Sequence, residues 1–139
     1  MFITETDYKV VVGDVALKVI SQASAENRAN AELEAMEEIS GYLRPKYDCT
    51  KVFSAEGDAR NRQLVMYTCD IALYHLVSSL PSKMGSEVRK ERYDRAIEWL
   101  EGVQSGKIVP DIPLVTYEDG EPANLPFIFG CQKKQHNNW

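Results

Sequence analysis

The chain has 139 residues, 44% of them apolar and 27% charged, with a formal net charge of −5. These values fit a soluble globular protein with one core, and they speak against broad electrostatic adhesion to nucleic acid or acidic membranes. No run reaches the roughly 20 apolar residues that span a bilayer, and "MFITETDYK" lacks the basic and apolar regions of a secretory signal.

"TETD" opens the first predicted helix, with Thr4 as N-cap and Asp7 at the third helical position. A carboxylate there favours the helix N-terminus, as in a capping box. Val12, Val15, Ala16, Val19 and Ile20 recur at helical spacing, and Gly13 is placed to divide the region into two short helices. Ser24 caps a second helix, from Ala25 to about Leu43, rich in strong helix formers. Its apolar face is Ala35, Met36, Ile39, Tyr42 and Leu43, while Glu34, Glu37 and Glu38 are expected in solvent. Pro45 disfavours helical geometry at Arg44 and sets the end.

"KYDCTKVFSAEGD" reads as a connector whose Val52 and Phe53 tuck into the core. Asp58 is the expected cap of the next helix, from about Ala59 to Ser79, which Pro81 stops. The middle of that helix is apolar on nearly every side, so it should be the buried centre of the fold. Asp70 lies inside it, and a carboxylate is costly to bury alone. Arg92, Arg44 or a tyrosine hydroxyl is the expected partner, since charge-assisted bonds offset that cost.

After the turn "PSKMGS", Ser86 caps a last helix from about Glu87 to Ser105, and Gly106 ends it. Val88, Ala96, Ile97, Leu100 and Val103 form its expected inner stripe, with Tyr93 and Trp99 flanking. Arg92, Arg95, Glu91 and Glu98 are placed for surface ion pairs. Beyond Lys107, four prolines (Pro110, Pro113, Pro122 and Pro126) forbid a long helix, yet the segment is too apolar for a free tail. The expected fold is therefore all-α: a compact four- to five-helix bundle over residues 1–107, followed by an extended proline-containing arm over 108–139. That arm, not an independent domain, either wraps its own helices or packs on another subunit.

Chemistry-bearing patterns are few. Cys49, Cys69 and Cys131 are far apart and form neither a disulfide framework nor a zinc pattern, which suits a reducing cytosol. His75 has no ligand one turn away and reads as a core or interface histidine. Asp70 and His75, five residues apart, point about 140° apart around a helix and cannot form one local pair. His136 sits in the polar end, Cys69 has no basic neighbour, the glycines make no phosphate loop, and the acidic clusters lack calcium-loop spacing. No catalytic residue, cofactor or metal is expected. "KMGSEVRKER" is the most basic stretch, but Glu87 and Glu91 interrupt it as a phosphate-binding face.

Four segments together carry a family likeness: "FITETDYKVV", "AMEEISGYLRPKYD", "RNRQLVMYTCDIALYHL" and "RKERYDRAIEWLEGVQSGKIVPDIP". In order and spacing they resemble the small helical proteins encoded in head–tail gene clusters of Mu-like phages and of prophages in Bacteroides-type bacteria. The likeness covers roughly residues 2 to 113, and "FIFGCQKKQHNNW" is similar to the family's polar C-terminal end. It implies a non-enzymatic head–tail adaptor or head-completion subunit that forms a ring between portal and tail-completion proteins. DNA would pass through the middle without sequence-specific binding, for which mild acidity is suited. The isolated chain is expected as a monomer or dimer, in the host cytoplasm during assembly and at the head–tail junction of the virion. Asp70, Tyr74, Arg92, Tyr93 and Trp99 are the expected packing and assembly residues. The competing readings are a helical regulatory or DNA-binding module using the basic face of the last helix, and a small enzyme if Asp70, His75 and a third group converge in a cleft.

Overall fold

The computed structural model describes residues 1–20, 25–78 and 86–116, without the side chains of Val15, Ala16, Lys18, Val19, Ile20 and Ser86. The expectations for Ser24, for the turn around Pro81, for the Ser86 side chain and for the arm beyond Thr116 lie outside the described residues.

Thr4 and Asp7 cap each other at the start of α1 (Glu5–Ile20). The Thr4 amide and hydroxyl donate to Asp7 Oδ2 at 2.7 and 2.8 Å, and the Asp7 amide returns a longer bond of 3.4 Å to the Thr4 hydroxyl. Gly13 has φ 77° and ψ 163°, a conformation that favours glycine, and it splits α1 at a kink as its position predicts. In α2 (Ala25–Leu43), Ala35, Ile39 and Leu43 are fully buried. The helix stops before the Arg44–Pro45 peptide, which is cis.

The connector contains more structure than its sequence suggests. Asp48 caps a short helix, α3 (Cys49–Ser54), through the Lys51 amide. It carries Val52 into the core and sets Phe53 edge-on against Phe2, with ring centroids 5.0 Å apart. A single 3-10 turn, Gly57–Ala59, then takes up Asp58, so Asp58 does not cap the next helix. Asn61 does, accepting from the Leu64 amide at 3.0 Å. α4 accordingly starts at Arg62, three residues later than expected, and runs to Ser78.

α4 is the centre of the bundle. It packs most closely against α2 and α5, and less extensively against α1. Leu64, Cys69, Ile71 and Leu73 are fully covered, and the Thr68 hydroxyl spends its proton on Leu64 O at 2.7 Å. From α5 (Ser86–Gln104), Ala96, Leu100 and Val103 enter the core. Trp99 joins them instead of flanking the stripe, its ring 5.0 Å from Tyr67. Val88 departs from the expected stripe and is 53% exposed. The two helices run antiparallel, so Val88 stands near the last described turn of α4.

Residues 108–115 wrap their own bundle. Ile108 lies so close to α5 that a Cβ on Gly102 would sit 2.6 Å from its Cδ1, and the Ile108 amide bonds Gly102 O at 3.0 Å. Asn61 Nδ2 donates to Asp111 O at 3.3 Å. Asp48 N then bonds Pro113 O at 2.9 Å and Val115 N bonds Lys46 O at 3.1 Å, around an isolated antiparallel bridge between Tyr47 and Leu114. Gly102→Val is expected to overpack this contact at a cost of about 1–3 kcal/mol. Hydrogen exchange should quicken at the Ile108 and Val115 amides while α4 stays protected; equal protection in the variant would contradict the close approach.

Candidate functional site

The polar residues of the bundle gather along the seam where α4, α5 and α2 meet. Helical spacing puts Asp70 and Tyr74 on one face of α4, and Arg89, Arg92 and Tyr93 on the facing side of α5. Arg92 Nε donates to Asp70 Oδ1 at 2.6 Å. Of the three partners expected for Asp70, the structure selects Arg92; Arg44 instead pairs with Glu37 at 3.2 Å. Asp70 is 3% exposed and Arg92 30%, so the carboxylate is sealed while the guanidinium reaches water. Burial pushes the Asp70 carboxyl up, against the bond from Arg92 and the charges of Arg89 and Arg95. Arg89 Nη1 is buried without a hydrogen-bond partner among the described residues.

One turn further along, Tyr74 and Tyr93 stack with centroids 4.1 Å apart. Glu38 of α2 closes this end of the seam, accepting from the Tyr93 hydroxyl at 2.5 Å and bonding His75 Nε2 at 2.8 Å. Burial and the Glu38 carboxylate hold the Tyr93 phenol above its ordinary range. Glu38 is thus not the solvated residue its charge suggests. Its spacing carried the signal, since it stands three residues after Ala35 and four before Tyr42 on the apolar face. Arg92 is likewise drawn out of the expected surface pairs; the pair of that type on α5 is Lys90 with Asp94, at 2.8 Å. Asp70 and His75 do point apart, to α5 and α2 respectively.

Sequence reasoning missed two further networks. Glu32, 1% exposed, accepts from the Tyr8 hydroxyl at 3.0 Å and from Arg28 Nε at 3.3 Å, while Arg28 lies 5.0 Å above the Tyr8 ring. Its second oxygen is buried and unpartnered among the described residues. Arg60 binds Asp7 Oδ2 at 2.7 Å and Phe2 O at 2.6 Å, tying the N-terminus to the 3-10 turn. Burial raises the Asp7 carboxyl, but Arg60 and Thr4 more than offset this and hold it below its ordinary 3.8.

A depressed folded value means that Asp7 stabilises the fold above its unfolded pKa, and that the gain fades as pH falls through the folded one. The stability difference between wild type and Asp7→Asn should therefore be positive at neutral pH and shrink below about pH 4. Urea unfolding across pH 2–7 reads it, and a difference that ignores pH would refute the assignment.

A surface groove of about 510 Å³ lies between α1 and the α4–α5 pair. Three arginines, Arg60, Arg62 and Arg92, and two aspartates, Asp7 and Asp58, line it together with apolar residues of α1 and α4; Asp70 and His75 do not. Among the described residues no group of three His, Cys, Asp or Glu side chains could hold a metal ion, and no helix is long and apolar enough to cross a membrane.

The family described as Bacteriophage Mu, Gp36 matches residues 3–124, most of the chain. The protein belongs to that Mu Gp36 family. No curated protein and no solved structure gives a significant match. The family match covers every described helix and the docked part of the arm. Membership in the Mu Gp36 family points to a phage structural or assembly protein.

Proposed function

We infer that this chain is a non-enzymatic subunit of a phage or prophage head–tail connector, assembled as a ring between portal and tail-completion proteins. The observation that carries the reading is the Mu Gp36 match over residues 3–124. The seam supports it. Asp70 is sealed behind Arg92, and His75 and Tyr93 both turn inward to Glu38. Groups spent on one another in this way fix how three helices meet and are not free to act on a substrate. Asp70, Tyr74, Arg92, Tyr93 and Trp99 are on this view the residues that give the subunit a fixed shape for assembly.

The alternative of a DNA-binding module draws less support. On α5, Lys90 is paired with Asp94, Arg92 with Asp70, and exposed Glu87 and Glu91 interrupt what remains. Phosphate binding needs a continuous basic face. DNA then passes the ring without sequence-specific contact, and the subunit works in the host cytoplasm and at the virion junction. Deleting the gene from an active phage that encodes it tests the role. Filled heads and separate, complete tails are expected by electron microscopy; normal virions would overturn the proposal.

A further inference from the structure

We draw no further inference here: the strongest candidate, the surface groove between α1 and the α4–α5 pair, is lined by aspartates as well as arginines, and nothing in the structure shows what covers it.

Discussion

Arg92→Ala is expected to destabilise the fold by about 3 kcal/mol, near the low end of what breaking a buried ion pair costs. The reason is an asymmetry in burial. Asp70 is 3% exposed, and without Arg92 it is left charged or must take up a proton in the core. Arg89 stands close enough to soften the loss, which sets the estimate at the low end. Asp70→Asn should cost less, about 1–2 kcal/mol, because Arg92 already reaches water and the amide oxygen can still accept a hydrogen bond. Replacing the pair with Leu at 70 and Met at 92 should return stability to within about 1 kcal/mol of wild type. Urea unfolding of the three variants decides the matter. A double replacement as damaging as Arg92→Ala would mean that the pair does more than satisfy its own charges.

Arg28→Ala carries the second large effect, about 2–3 kcal/mol, by the same logic applied to Glu32. Glu32 is 1% exposed, and the variant would leave it with the Tyr8 hydroxyl as its one remaining side-chain donor among the described residues. The loss includes the stacking of the guanidinium on the Tyr8 ring, worth about 0.5–1 kcal/mol at a partly exposed site. Tyr8→Phe combined with Glu32→Met removes acceptor and donor together. It also removes the carboxylate oxygen that has no partner, so this double variant should match wild type or exceed it. Thermal unfolding reads the contrast. A double variant that unfolds as early as Arg28→Ala would show that Glu32 contributes something other than packing.

The helices were largely legible in the sequence because their signals are local. The Thr4–Asp7 cap, the break at Gly13, the end of α2 before Pro45 and the all-round apolar pattern of α4 need only neighbouring residues to be read. Asp70 was legible as a problem with a short list of solutions, since burial demands a partner. What stayed hidden depends on residues far apart in the chain. Glu38 meets Tyr93 across 55 positions, and Arg60 meets Asp7 across 53. Nothing in α2 alone separates Glu38 from the exposed Glu37 except a spacing that a charge normally overrides. Asp58 looked like the cap of α4 because a 3-10 turn ahead of a helix has no strong sequence mark, whereas Asn61 is an equally good cap three residues on. The groove at Val10 could not be read at all, because α1, the 3-10 turn, α4 and α5 all contribute to it and only the fold sets their spacing.

Electron microscopy of the full-length chain mixed with its cognate portal tests the central claim most directly. The account predicts a closed ring of helical subunits stacked coaxially on the portal, open along the axis, with the α4–α5 seam inside each subunit. A portal left bare at saturating concentrations of the chain, or a chain bound with Asp70 opened to a solvent-filled cleft, would contradict it.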